Sequence, residues 1–405
     1  MSQRLPLTSS ESQQSIVHPS LVLFALAMGG FAIGTTEFAS MSLVPYFSTD
    51  LHIDEPTAGH AISIYALGVV IGAPLIALLA ARLSRRHLLL ILMTVFALGN
   101  FFTALSPSYT WMLGFRFLSG LPHGAYFGVA ALVAASLVPL NKRSQAVGRT
   151  MLGLTIATII GVPLANWMGQ AMGWRFGFIL VSVIALITVA LVWRFVPLDY
   201  SSHPSSPLQE LSALKNKQVW LTLGMGAIGF GGLFAVYTYA ASTLLEVTHV
   251  SPQLVPLVLG IFGLGMTAGT LFAGWAADRA LMVTAGGLLL WSAGWLACYP
   301  WVVQNRGALS IVVFMIGTGG GLGTVLQTRL MDVAGKAQTL AAALNHSAFN
   351  FANALGPFLG GLAIQAGYGF PSTGWVGCGL ALGGFIFWSL AMRDEANSKP
   401  TVIPS

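Results

Sequence analysis

The apolar positions of this chain fall into twelve long blocks. A helix needs about 20 residues to cross the hydrocarbon core of a bilayer. Segments 20–46, 57–80, 87–106, 111–138, 148–170, 176–196, 219–245, 254–277, 282–303, 308–331, 339–366 and 373–392 each reach that length with few charges. Most connections are short, as expected for helices antiparallel to their neighbours. One connection, 197–218, is longer, polar and rich in Ser and Pro, with six blocks on each side. The pattern predicts an all-α, polytopic membrane protein of twelve transmembrane helices in two pseudo-symmetric six-helix bundles. Its parts are a tail at 1–19, bundles at 20–196 and 219–392, a linker at 197–218 and a second tail at 393–405. The first 18 residues are polar and carry no basic stretch, short apolar core and cleavage site, so the first block is read as a retained helix.

The two halves resemble each other. Positions 72–82 read GAPLIALLAAR and 269–279 read GTLFAGWAADR, each with Gly and Arg ten residues apart, at an offset of 197. Gly161 and Gly356 align at an offset of 195. Parallel repeats on this scale point to a transporter with its site at the midplane between related halves. The 47 glycines concentrate inside the blocks, where small residues let helices approach closely. The same smooth faces suit helices that slide as a protein changes state.

Composition supports the pattern. Hydrophobic residues make up 55% of the chain and charged residues 7%, against about 25% charged in soluble domains. That shortfall excludes a soluble enzyme, a nucleic-acid binder and a disordered scaffold together. The net charge of +6 is distributed by topology rather than gathered on a phosphate-binding face. With the N-terminus cytoplasmic, fourteen basic residues fall in inner segments: Arg4, Arg82, Arg85, Arg86, Lys142, Arg143, Arg149, Arg194, Lys215, Lys217, Arg279, Lys336, Arg393 and Lys399. Only two, Arg175 and Arg306, fall in outer loops, so both termini and the linker are expected in the cytoplasm. Cys298 and Cys378 lie inside apolar blocks, which argues against a disulfide framework, and no metal-ligand spacing is present.

Ionisable groups inside apolar helices are rare, and each costs about 2.5–3.5 kcal/mol or more at the bilayer centre. The candidates are Glu37, Arg116, His123 and His346. Glu37 lies ~13 Å from the outer end of the first span and Arg116 ~8 Å from that of the fourth, at 1.5 Å per residue. The two meet if these helices pack together, either as a proton switch or as a structural ion pair. Burial and a neighbouring guanidinium pull a carboxyl's proton affinity in opposite directions, which is what a switch requires. Gly30, Gly34, Glu37 and Met41 share one helical face, and so do Arg116, Gly120, His123 and Phe127. His123 suits proton relay, its unperturbed pKa being about 6.5; a neutral, hydrogen-bonded packing histidine is the other reading. In the second half His346, Asn350, Asn353 and Pro357 share a face, and Asn345, Gln327, Tyr237 and Tyr239 add polar groups at membrane depth. Amides and phenols without an acid orient a neutral or weakly charged small molecule, or else join helices by hydrogen bonds. The absence of a second intramembrane acid, a zinc HExxH motif and a phosphate-binding loop argues against an enzyme or an ATP-driven pump.

Several stretches resemble one known family: AIGTTEF at 32–38, YALGVVIGAP at 65–74, RFLSGLPHGAYFGVAALVAASLVP at 116–139, GLTIATIIGVPLANWMGQAMGWR at 153–175, YTYAASTLLEVTH at 237–249 and NFANALGPFLGG at 350–361. They are similar to the major facilitator superfamily, and within it to the bacterial drug:proton antiporter branch of arabinose or sugar-efflux, chloramphenicol and purine-nucleoside exporters. The family's loop after the second span carries an Asp-Arg pair that acts as a cytoplasmic latch. Here Arg82, Arg85 and Arg86 match it, but Ala81 stands at the Asp position, while the repeat counterpart keeps Asp278-Arg279. Arg116 matches the family's intramembrane arginine. Gly72 and the antiporter-motif positions Gly153, Gly161, Pro163 and Gly169 fit, with Gly356-Pro357 as the cleaner mate. The resemblance implies a monomeric, proton-driven antiporter of the bacterial inner membrane. It would export a small molecule by alternating access, without a cofactor, with Glu37, Arg116 and His123 coupling protons. Proton-linked import of a sugar or nucleoside is the alternative within transport; a membrane-embedded enzyme or receptor without flux is the alternative outside it.

Overall fold

In hydrocarbon every backbone N–H and C=O must be satisfied within its own segment, so apolar blocks of this length become helices. The computed structural model describes residues 18–53, 55–198, 206–251 and 254–398. Most of both predicted tails, including Arg4 and Lys399, and the centre of the linker at 199–205 lie outside the described residues. The first half contains α1 (Pro19–Asp50), α2 (Glu55–Leu79), α3 (Arg85–Ala104), α4 (Tyr109–Ser136), α5 (Leu140–Met172) and α6 (Trp174–Phe195). A short linker helix, Pro207–Leu211, leads to α7 (Lys217–Val247). Helices α8 and α9 run as one 48-residue stretch, Val255–Val302, broken at Ala280, where φ is −153° and ψ is 77°. The chain closes with α10 (Arg306–Val333), α11 (Gln338–Ala363) and α12 (Ser372–Ser398).

Ten helices among the described residues are long and apolar enough to span, with α8 and α9 counted as one. The remaining pass is α11, whose 26 residues include Asn345, His346, Asn350 and Asn353. Its polarity marks it as a wall of something other than lipid. Helix starts follow local chemistry: Ser84 accepts from the His87 N–H, Ser108 from that of Trp111, and Asn305 from that of Ala308. Each fills one of the N–H groups a helix start leaves open. Helix α5 begins eight residues before its predicted block, because its first polar turn stays helical beyond the apolar stretch.

The repeat seen in the sequence is also a repeat in packing. A Cβ built on Gly68 would lie 2.5 Å from the Phe117 carbonyl, and one on Gly265 would lie 2.1 Å from that of Phe314. One turn on, Gly72 meets the Leu121 carbonyl at 2.2 Å and Gly269 that of Thr318 at 2.1 Å. All four pairs keep the offset of 197, so α2 crosses α4 as α8 crosses α10. No side chain fits at these crossings. The half-molecules therefore behave as packed bodies, each with a large apolar core, that of the first half reaching across the seam to Met331 and Ala342.

A third cluster joins the halves. Ala73 and Ala77 of α2, Ala213 of the linker, Val219 and Leu223 of α7, Leu330 of α10 and Leu340 of α11 pack together at the end where the linker lies. At the opposite end the buried cluster of Leu43, Phe47, Ala61, Met112 and Trp174 belongs to the first half alone. The seam between the halves is closed on the linker side.

At that opposite end, Arg175 Nη1 donates to Asp50 Oδ2 at 2.5 Å and Nη2 to the Ser106 carbonyl at 2.9 Å, tying α1, α3 and α6 together. The hydrogen bond from Arg175, helped by one from Trp174, holds the Asp50 carboxyl below its usual range. A depressed carboxyl stabilises the fold above its unfolded pKa, and that gain is lost as pH falls through the folded value. Asp50→Asn should therefore lower the thermal midpoint in detergent slightly at pH 7, by about 1 kcal/mol or less for so exposed a pair, and the gap should close in strong acid. Gly269→Leu should destabilise by about 1–3 kcal/mol or more through overpacking. Gly114→Leu, where a Cβ meets nothing within 4 Å, should be silent in the same melt.

Candidate functional site

Two adjoining spaces lie between the halves. The outer one, about 810 Å³, opens at the end away from the linker and is walled by α1, α2, α5, α7, α8 and α11. Its size suits a small-molecule site. The inner one, about 70 Å³, lies deeper among Glu37, His123, Thr155, Phe234, Thr324 and His346. Phe38, Tyr237 and Asn350 line both. Phe38 of α1 meets Tyr237 of α7 edge-on, ring centroids 6.0 Å apart, so one aromatic contact across the seam separates the two spaces.

Arg116 is fully buried and satisfied without an acid. Its Nε donates to the Ala61 carbonyl at 3.3 Å, Nη1 to Thr36 Oγ1 at 3.1 Å and Nη2 to Ser40 Oγ at 3.2 Å. The Tyr65 ring lies 4.4 Å beneath the guanidinium. Glu37, 9% exposed, sits on the cavity wall. Among the described residues its carboxylate has no ion-pair or hydrogen-bond partner. The expected direct Glu37–Arg116 contact is therefore not made in this state. Thr36 and Ser40, flanking Glu37 on α1, take the guanidinium's donors instead.

From Arg116 a line of side chains crosses the seam. Tyr65 Oη and His123 Nδ1 share a hydrogen bond of 2.9 Å, and the His123 and His346 rings lie 5.4 Å apart. His346 stacks on Phe127 at 4.4 Å and 10°. His346 Nε2, Asn350 Oδ1 and Thr324 Oγ1 are buried with no hydrogen-bond partner in the structure. Three orphaned polar atoms around one apolar, aromatic chamber form a set of contacts for a polar molecule, because leaving them unpaired costs free energy.

The other predicted residues divide. Asn353 and Pro357 face the outer space with Tyr237. Gln327 and Tyr239 lie off the cavity wall: Asn345 Nδ2 donates to Gln327 Oε1 at 2.6 Å, Gln327 Nε2 donates to the Ala342 carbonyl at 3.0 Å, and Tyr239 Oη donates to the Pro357 carbonyl at 2.9 Å. These bonds join α11 to α10 and α7. Gly153, Gly161 and Gly169 of α5 press on Ala27, Thr35 and Leu43 of α1, and Gly356 presses on Gly231 of α7. Pro163 opens the helical stretch after a wide turn at Ala157–Gly161. Arg86 donates to the Trp193 carbonyl within the first half, and Arg279 folds back onto Trp275, while Arg82 and Arg85 sit at the linker end with them. Asp278 crosses the seam, accepting from the Ser144 N–H at 2.7 Å and the Gln145 N–H at 3.2 Å. Arg143 and Asp332 pair across it at 3.0 Å.

Sequence reasoning passed over Tyr65, Phe38 and Arg329. Arg329, inside a predicted span, bonds Glu395 of α12 and Gln218 of α7. A charge at that depth was the available signal. Tyr65 and Phe38 act through partners on other helices, which one chain's pattern does not reveal.

A family model described as the Major Facilitator Superfamily matches residues 26–279 and 225–405. The chain is 38% identical to the inner membrane transport protein YdhP of Escherichia coli strain K12 over 89% of this chain and 94% of that protein. It is 33% identical to a chloramphenicol resistance protein of Streptomyces lividans, over 84% and 88% respectively. The crystal structure of the E. coli fucose:proton symporter FucP superposes with a TM-score of 0.73 at 14% identity, covering 93% of this chain and 98% of that one, which is a likeness of fold. Arg116→Lys should lower the thermal midpoint by the equivalent of about 1–3 kcal/mol, because one ammonium cannot reach the three acceptors the guanidinium now serves.

Proposed function

The chain belongs to the major facilitator superfamily, and from that premise we propose that it is a proton-coupled exporter of a small, neutral or weakly charged molecule. Its linker side would face the cytoplasm of a bacterial cell and its open side the periplasm. The observation that carries this reading is Glu37: a buried carboxylate without a partner among the described residues, on the wall of a cavity between the halves that adjoins the outer space.

A carboxylate in that position has to obtain compensation from water, a proton or a ligand. In the outward-open arrangement a periplasmic proton enters through the outer space and neutralises Glu37 once the Phe38–Tyr237 contact gives way. Neutralisation removes the only acid from the chamber and leaves Arg116 with its own neutral acceptors, so the halves can close over the cavity without trapping a bare negative charge. When the linker side opens, the proton leaves and cargo enters against the aromatic walls. Thr324, His346 and Asn350 then bond the cargo's polar groups. Proton and cargo alternate because both need the same small chamber. The likeness to a chloramphenicol resistance protein supports export and suggests the first cargo to try.

In inside-out vesicles energised by a pH gradient, the wild type should accumulate radiolabelled chloramphenicol and Glu37→Gln should not, while still exchanging it downhill. Full gradient-driven accumulation by Glu37→Gln would remove this carboxylate from coupling.

A further inference from the structure

Among the described residues, the linker carries the most deeply buried acid on its side of the protein. Glu210, 1% exposed, lies in the linker helix Pro207–Leu211, and its Oε2 accepts from the Leu340 N–H at 2.9 Å. Leu340 belongs to the first turn of α11, and no side chain of that helix's own caps it, its N-cap being Ala337. Helix starts present open N–H groups and a partial positive charge, and a carboxylate there stabilises the helix and fixes its position.

Among the described residues a matching contact occurs in the other half. Asp278, at the end of α8, accepts from the Ser144 and Gln145 N–H groups at the start of α5. Gln145 and Leu340 are 195 residues apart, the offset that relates Gly161 to Gly356, so the two capped N–H groups are repeat mates. The carboxylates are not. The mate of Asp278 at the offset of 197 is Ala81, which has no acid to offer. The pseudo-symmetric start of α11 is filled instead from the linker.

We infer that Glu210 replaces the acid missing at Ala81, making the linker a working part of the seal between the halves rather than a passive tether. The linker is placed for this. The linker helix Pro207–Leu211 contacts α2 and α11, and Ala213, 1% exposed, lies in one buried cluster with Ala73 and Ala77 of α2 in the first half and Leu340 and Ala341 of α11 in the second. Separating the halves on the linker side pulls α11 from α2, and the linker cannot stay with both. Its hydrogen bond to Leu340, or its packing on α2, breaks at that step. Two carboxylate caps on repeat-related helices then hold the outward-open state, one supplied by the end of α8 and one by the linker.

The test reads the seal directly, without reference to cargo or protons, so its outcome is independent of the transport assignment. Spin labels at Leu83→Cys and Val283→Cys, one exposed position in each half near the linker end, are placed in a Cys298→Ser, Cys378→Ser background reconstituted in lipid nanodiscs. Pulsed dipolar spectroscopy then gives the distance distribution across the seam. Glu210→Ala should raise the ratio of wide to narrow distances roughly fivefold, the usual effect of losing a helix cap. Asp278→Ala should shift it in the same direction. Glu210→Gln keeps an acceptor oxygen but loses the charge, and should shift it about twofold. An unchanged distribution in Glu210→Ala overturns the inference whatever Asp278→Ala does; should the alanine variant fail to fold, an unchanged distribution in Glu210→Gln does so.

Discussion

A charge placed in hydrocarbon must be answered by protein or by what fills a cavity, and this molecule is arranged around one buried charge held by protein and one that faces a cavity. Arg116 is answered by protein: Thr36, Ser40 and the Ala61 carbonyl take its donors, and Tyr65 covers its face. Those partners lie on α1 and α2, so the guanidinium fixes three helices of the first half together. Glu37 shares α1 with two of them, but its own carboxylate is left to the cavity. The same helix therefore supplies acceptors for the buried guanidinium and a carboxylate that is left to the cavity. Had the two side chains paired directly, the half would be held as firmly but the carboxylate would have no reason to respond to the cavity's contents.

The proposed transport cycle requires halves that keep their internal packing while the seam between them changes. The glycine crossings provide the first property. Backbone lies against backbone at Gly68, Gly72, Gly265 and Gly269, and close-packed contacts of this kind tolerate little internal adjustment. The seam differs in kind. On the linker side it is built from alanines, a few larger aliphatics, and polar contacts at helix starts. Such contacts separate without tearing open a core.

Much of this was legible in the chain. Block lengths gave the number of passes, and the two offsets gave the repeat, which then reappeared as matched helix crossings. The cavity face of α11 was legible from His346, Asn350, Asn353 and Pro357 at helical spacing. What stayed hidden depends on contacts between helices. Nothing in the spacing of Gln327 and Asn345 distinguishes a cavity amide from one bonded to a neighbouring helix, and both bond to each other. Depth alone brought Glu37 and Arg116 level, but rotation about α1 decides which residue the guanidinium meets, and it meets Thr36 and Ser40. Glu210 stands in a polar linker among residues of similar character, so only the backbone it touches distinguishes it.

The loss of the acid at Ala81 then has a physical consequence beyond one missing contact. An acid in the loop after α2 would belong rigidly to the first half, and its cap on α11 would join the two halves alone. An acid in the linker belongs to neither half. Its hold on α11 is only as firm as the packing of the linker against α2, so the strength of the seal on this face is divided between a polar bond and a small apolar contact in series. Two weak links in series yield at the weaker one. On the other face Asp278 joins the halves directly, through two N–H groups. The seam is therefore mechanically lopsided despite the symmetry of the repeat, and opening on the linker side should begin at the linker and α11, with the Asp278 contact the last to part.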